Sequence, residues 1–243
     1  MHATGADLPA KPLSPGLDAH PGEPLTCINR PASAPRYRLI CRCLPERPMA
    51  VERITIIQGH PDPAGNRLCH ALALAYEERA LAAGRLIRRI DVARLDMPLL
   101  RSKAEFEAVP PPPPVAQAQQ DIMWSEHLLI IYPLWLGTMP ALLKGFFEQT
   151  FRPGFGFEAE SQGWPRSLLK GRSARVVVTM GMPAFVYRWY FGAHGLRSLE
   201  RNILKFCGIA PVRETLFGMV DGVSDQRRQS WISELGKLGH DGR

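Results

Sequence analysis

At 243 residues with 45% hydrophobic content, the chain carries enough apolar material for a sizeable core, which excludes a disulfide-stapled miniprotein and a wholly disordered chain. No window approaches the roughly eighteen consecutive apolar residues of a membrane span. The formal charge of +7, from 30 Lys and Arg against 23 Asp and Glu, is spread along the sequence; it suits a solvated basic surface and small anionic ligands and predicts no nucleic-acid partner.

Residues 1–48 hold nine of the 23 prolines, one aromatic residue (Tyr37) and no apolar period. Such a composition cannot offset chain entropy by burial, so a disordered extension is predicted there. Met49-Ala50-Val51-Glu52-Arg53 leads straight into a strand pattern, which marks Met49 as an alternative start and 49–243 as a single domain. Of the five cysteines, Cys27, Cys41 and Cys43 fall in the extension and Cys69 and Cys207 in apolar surroundings, so no disulfide framework emerges. Cys41-x-Cys43 lacks a second pair at zinc spacing; no metal site is predicted, and a reducing cytoplasm is the expected compartment.

From Glu52 the pattern turns regular. Ile54–Ile57 is a β-branched run stopped by the turn formers Gly59-His60-Pro61-Asp62-Pro63. Leu68, Leu72, Ala75, Tyr76 and Arg79 recur at helical spacing up to a capping Gly84, and Arg85–Val92 alternates as a second strand. The prolines Pro110–Pro114 predict a polyproline spacer, followed by a helix over Val115–Glu126 and a third strand over His127–Pro133. Then come a helix over Met139–Thr150, a strand over Ala174–Met180, a mostly helical Tyr187–Phe206, a strand over Val212–Phe217 and a helix over Ser224–Leu238. Strands alternating with helices, apolar on both faces, predict an α/β fold: a doubly wound sheet of five parallel strands with helices on both faces.

Ligands of such sheets bind outside the carboxyl ends of the strands. The loop Gly59–Arg67 runs into a helix, so its amides and the helix dipole suit a phosphate, with His60, Asn66 and Arg67 as further donors; a plain strand-to-helix turn capped by Asp62 is the alternative. No dinucleotide glycine fingerprint follows the first strand, and no P-loop occurs anywhere. The loop Tyr132–Pro140 places Leu134, Trp135 and Leu136 at a strand end, which suits a flat aromatic ligand or an interface. The loop after the fourth strand leaves through Gly181 and carries Tyr187 and His194, seven residues apart; on a continuous helix both would face one pocket as proton donors.

Together, Gly59-His60-Pro61-Asp62-Pro63, Pro133-Leu134-Trp135 through Pro140-Ala141-Leu142-Leu143-Lys144-Gly145-Phe146, Pro153-Gly154-Phe155-Gly156-Phe157, and Thr179-Met180-Gly181 with Tyr187 and His194-Gly195 resemble the flavodoxin-like NAD(P)H:quinone oxidoreductases. That family includes the quinone reductases, the modulators of drug activity and the ancillary subunits of potassium-efflux systems, and the resemblance covers about Arg53–Met219. It implies a flavodoxin-like sheet of order 2-1-3-4-5 and a homodimer binding FMN or FAD, reduced by NADH or NADPH and reoxidised by a quinone or similar acceptor in ping-pong fashion. Carried over by position, His60, Gly65, Asn66 and Arg67 meet the flavin phosphate. Pro133, Leu134, Trp135, Leu136 and Gly137 line the ring, Thr179 and Gly181 meet its polar edge, and Tyr187 and His194 are catalytic. Two departures stand out: Gly65-Asn66-Arg67 replaces the common Ser-Phe-Asn, and Trp135-Leu136-Gly137 is slighter than the bulkier residues of the mammalian enzymes. Other readings of the same residues are a one-electron flavodoxin-type carrier, a regulatory subunit of a membrane potassium-efflux protein, and a flavin-free interaction domain. The strip Pro153–Phe157 with Trp164 is expected to be covered by a second subunit that completes the pocket, the alternative being a surface loop packed on its own domain.

Overall fold

The computed structural model describes residues 51–158, 163 and 165–243; the predicted extension over 1–48, the Cys41-x-Cys43 pair and Trp164 lie outside the described residues. In chain order the strands are β1 (Arg53–Gln58), β2 (Leu86–Asp91), β3 (His127–Pro133), β4 (Phe157–Glu158), β5 (Arg166–Ser167), β6 (Ser173–Thr179) and β7 (Val212–Phe217). The helices are α1 (Leu68–Ala82), α2 (Lys103–Glu107), α3 (Pro113–Trp124), α4 (Ala141–Thr150), α5 (His194–Ser198) and α6 (Asp225–Asp241). Five strands pair in parallel in the order β2-β1-β3-β6-β7, the predicted topology, while β4 and β5 form a small separate antiparallel pair.

The central strands are buried because their side chains are apolar on both faces: Ile54, Ile56 and Ile57 of β1 and Leu128 to Tyr132 of β3 are fully buried. One face packs against α1 and α6 through Leu72, Tyr76, Trp231 and Leu235. The other packs against α3, α4 and the stretch after β6 through Ile122, Leu143, Phe146, Phe147, Leu196 and Leu204. Each such aliphatic or aromatic side chain contributes on the order of 1.5–3 kcal/mol by leaving water. The outer strands are less apolar: Arg88 of β2 lies 4.3 Å over the Trp124 ring and pairs with Asp121. Cys69 and Cys207 are free and buried, and burial pushes both thiols up to about 12. Among the described residues no helix is long and apolar enough to cross a membrane.

Two local expectations need correction, and two small features are new. The helix after the proline run begins at Pro113, since proline is tolerated in a first turn where no amide partner is needed. The short α2 and the β4/β5 pair were not predicted. The helix expected over Tyr187–Phe206 is broken: a wide π-wound turn, Val186–Tyr190, is followed by Gly192 and Ala193 at positive φ before α5, which then runs into a second π-wound stretch, Leu199–Lys205. Left-handed residues end a helix, so Tyr187 and His194 stand on separate turns.

Candidate active site

The first loop leaves β1 at Gln58, which is fully buried and polar at the end of an apolar run. Its amide nitrogen donates to the Cys69 carbonyl (3.1 Å) and its oxygen accepts from the His60 amide (3.2 Å), so one side chain ties the loop to the first turn of α1. The Asp62 amide donates to His60 Nδ1 (3.0 Å), which leaves the ring hydrogen on Nε2 when the imidazole is neutral. Burial, and next the neighbouring His70, hold the His60 pKa below its ordinary value. Asp62 accepts from the Ala64 amide (2.9 Å) and from Arg67 Nε (2.8 Å). Among the described residues the amides of Gly65 and Asn66, ahead of α1, and of Leu68, its first residue, have no acceptor. His70, only 6% exposed, accepts from the Arg67 amide through Nδ1 (3.3 Å), and its buried Nε2 has no partner.

The second loop is a two-residue turn. Trp135 and Thr138 exchange amide-to-carbonyl bonds of 2.9 and 3.0 Å, and Leu136 and Gly137 between them adopt φ of 47° and 80°. Gly137 takes that conformation freely, whereas Leu136 is strained there by about 1–3 kcal/mol. Its side chain is fully exposed and Trp135 is half-exposed, so the turn offers apolar surface and two open amides at the sheet edge.

The third loop closes against the second. Leu134 donates its amide to the Thr179 carbonyl (2.8 Å). The Tyr187 hydroxyl, buried, accepts from the Leu196 amide (3.1 Å) and reaches the Gly137 carbonyl (3.4 Å). Gly195 packs so tightly that a Cβ there would lie 2.4 Å from the Gly137 oxygen. Gly181 is exposed, with an open amide.

All three loops therefore reach one rim, and His60, Asp62, Arg67 and Trp135 line a cleft of about 500 Å3 on it. A phosphate-bearing aromatic ligand fits this donor set: unpaired amides and a helix amino end at one side, apolar side chains at the other, and buried His70 Nε2 lacking an acceptor. Two predicted ligands stand differently. The Thr179 hydroxyl is turned under α1 onto Cys69 Sγ (3.2 Å), and its carbonyl is taken by Leu134, so Thr179 braces the rim from below. Tyr187 is buried and already bonded, and burial raises its pKa, so it holds the second and third loops together and stays protonated. His194 is exposed beside Gly192. Sequence reading missed Gln58 and His70; the one available signal was a polar residue interrupting an apolar pattern at each position.

Residues 52–238 match the model of a family described as having a flavodoxin-like fold. An uncharacterized NAD(P)H oxidoreductase of Haemophilus influenzae is 28% identical over 122 residues, covering 50% of this chain and 60% of the relative. The matches span between 35% and 60% of the length of the curated relatives. The NAD(P)H:quinone oxidoreductase of Methanothermobacter marburgensis superposes with a TM-score of 0.67 at 21% identity, over 79% of this chain and 96% of its own. An FMN-dependent NADH-azoreductase of Bacillus anthracis, solved with FMN, gives 0.61 at 16% identity, over 77% and 97%. These structural likenesses bear on the fold.

Proposed function

Because the chain belongs to the flavodoxin-like family, whose model it matches over residues 52–238, we propose that it is a flavin-dependent NAD(P)H oxidoreductase acting on quinones or related small aromatic acceptors. The observation that carries this reading is the meeting of the first two loops, each with open main-chain donors, on one cleft lined by His60 and Trp135, with the third loop bonded to the second through the Tyr187 hydroxyl. A flavin supplies two-electron chemistry between reduced nicotinamide and acceptor, and one opening serving both in turn gives ping-pong kinetics.

The chain's own residues bind, orient and protonate. His60 Nε2, the amides of Gly65 and Asn66 and the Arg67 guanidinium take the phosphate. Pro133, Leu134 and Trp135 line the flat face of the ring, and the amides of Leu136, Gly137 and Gly181 meet its polar edge. His194, exposed at the start of α5, supplies the proton, and Tyr187 holds the Gly137 turn and the Leu196 amide in place.

FAD fits better than FMN. Beyond Gly65 and Asn66 a groove of about 460 Å3 continues between α1 and α6, lined by Leu68, Leu74 and Ile232 with Arg228 beside them. Its apolar walls suit an adenine, and Arg228, paired with Asp225 at 2.6 Å, would turn from that carboxylate to meet a second phosphate. The aromatic side chains Phe185, Trp189 and Tyr190, 67–82% exposed, form a patch of the kind a second copy covers, which supports a homodimer.

The absorption spectrum of the purified protein tests the reading, with mass identification of the released flavin and consumption of NAD(P)H with a small para-quinone. A folded, colourless chain that takes up neither FAD nor FMN overturns it. His194→Ala is expected to slow turnover on the order of 10² while flavin stays bound; unchanged turnover removes His194 from the mechanism.

A further inference from the structure

A third cavity, about 630 Å3, lies between edge strand β7 and the helical stretch 193–205. Six cations line it, Arg175, Arg188, Arg197, Arg201, Lys205 and Arg213, against two carboxylates, Glu200 and Glu214. Arg188 pairs with Glu214, and Lys205 with Glu200 at 2.7 Å. Among the described residues the other four guanidiniums have no carboxylate within ion-pair distance. Arg175 is the unusual one. It is 7% exposed, donates through Nη1 to Thr215 Oγ1 (2.7 Å), and keeps a buried Nε without any partner. Its side chain alternates with Ala174 and Val176 and so lies on the α1/α6 face beside Thr215, adding positive charge behind the groove without being a ligand in it. Arg213 sits directly opposite it in the β6/β7 register, adding like charge.

The cationic groove begins beside the candidate active site. Ala193 and Leu196 line it, and the Leu196 amide is bonded to the Tyr187 hydroxyl. From His194 the residues Arg197, Arg201 and Lys205 follow at intervals of three, four and four along α5 and the π-wound stretch that continues it. That spacing keeps them near one stripe running roughly 15 Å from His194. Guanidiniums bind phosphate through paired, charge-assisted hydrogen bonds. NADPH differs from NADH by one ribose phosphate, a dianion placed far from the reacting ring.

We propose that this groove seats the 2′-phosphate end of the reduced dinucleotide through Arg197 and Arg201, which makes the chain selective for NADPH over NADH. The proposal rests on the oxidoreductase reading for its co-substrate, and on the groove alone for its anion.

Calorimetric titration of the full chain with 2′,5′-ADP and with 5′-AMP tests the groove without flavin or turnover. The expected result is saturable binding of 2′,5′-ADP at least tenfold tighter than 5′-AMP, weakening as salt rises. The Arg197→Ala/Arg201→Ala double variant, at two exposed positions with an unchanged melting midpoint, is expected to lose that preference. In steady-state assays its NADPH-to-NADH ratio of kcat/KM falls roughly 10- to 100-fold, carried by KM, as expected for the loss of charged hydrogen bonds. Equal affinity for the two mononucleotides, or a double variant that keeps the preference, overturns the proposal; so does a groove that takes only an acidic protein. A colourless chain that still prefers 2′,5′-ADP overturns the oxidoreductase reading alone. A yellow, quinone-reducing chain with no preference overturns the groove alone.

Discussion

At the amino end of the sheet, polar groups are closed off from solvent, most of them paired, though His127 Nε2 and Arg175 Nε are buried without a partner among the described residues. Glu126 accepts from the Glu52 amide and the Arg53 guanidinium, and His127 shares a 2.7 Å hydrogen bond with Ser173 beneath the packed face of α1 and α6. At the carboxyl end, the amides of Gly65, Asn66, Leu136, Gly137 and Gly181 have no acceptor among the described residues, and Trp135, Leu136 and Trp189 are turned to solvent. Satisfying a buried donor stabilises the fold, whereas an exposed unpaired donor is available to a ligand. The comparison therefore predicts a separation: changes at the amino end alter stability and spare flavin affinity, and changes at the rim do the reverse.

The largest effect is expected from His127. Burial, then the Arg175, Arg213 and Arg85 charges, lower its pKa to about 3 from an unfolded value near 6.5. Below pH 6.5 the unfolded chain takes up a proton that the folded one refuses, so this contribution is fully present above pH 6.5 and is lost as pH falls toward 3. The slope is at most about 1.4 kcal/mol per pH unit in that window. Urea midpoints measured from pH 7 to pH 4 are expected to fall, and His127→Leu to flatten the dependence while leaving flavin affinity at pH 7 unchanged. A His127→Leu variant with the same acid slope would assign the loss to other groups.

Gly195→Ala is the matching change at the rim. Its methyl would meet the Gly137 oxygen at 2.4 Å and Thr138 Cα at 2.6 Å, both backbone, so the second and third loops must part. Overpacking of this kind costs about 1–3 kcal/mol. If that strain falls on the cleft, flavin binds roughly 10- to 100-fold more weakly with little change in the melting midpoint. A fall in melting midpoint with intact flavin affinity would break the separation.

The sheet was legible because its signals are local. The run Leu128–Tyr132 is apolar and stopped by Pro133, and the strand has the expected bounds, His127–Pro133. The first loop was legible as a phosphate candidate from its turn formers and the helix after it. The rest depended on contacts distant in sequence. Gln58 meets residue 69, Thr179 meets Cys69, and Tyr187 meets residues 137 and 196, none of which a spacing rule contains. The break at Gly192 and Ala193 was hidden because Ala193 is an ordinary helix former held left-handed by its surroundings. Nor does a mostly helical pattern over Tyr187–Phe206 show that the π-wound turn leaves Trp189 and Tyr190 both 82% exposed.

The smallest effect probes the first loop from within. The Asp62 carboxylate accepts from the Ala64 amide and from Arg67 Nε, and these bonds, in that order, hold its pKa below the usual carboxylate range. It is therefore charged at neutral pH, beside the amides proposed to meet a phosphate, and it occupies the one guanidinium in the loop. Asp62→Asn keeps an oxygen for the Ala64 amide, removes the charge and frees Arg67. An exposed ion pair and its repulsion toward an incoming phosphate are worth at most a few-fold in affinity, so flavin is expected to bind about two- to fivefold more tightly. Quenching of flavin fluorescence on titration reads this directly, and the gain is expected to shrink as salt screens the charge. Weaker binding in the variant would mean that Asp62 serves chiefly to aim Arg67 at the phosphate, with order in the loop outweighing charge.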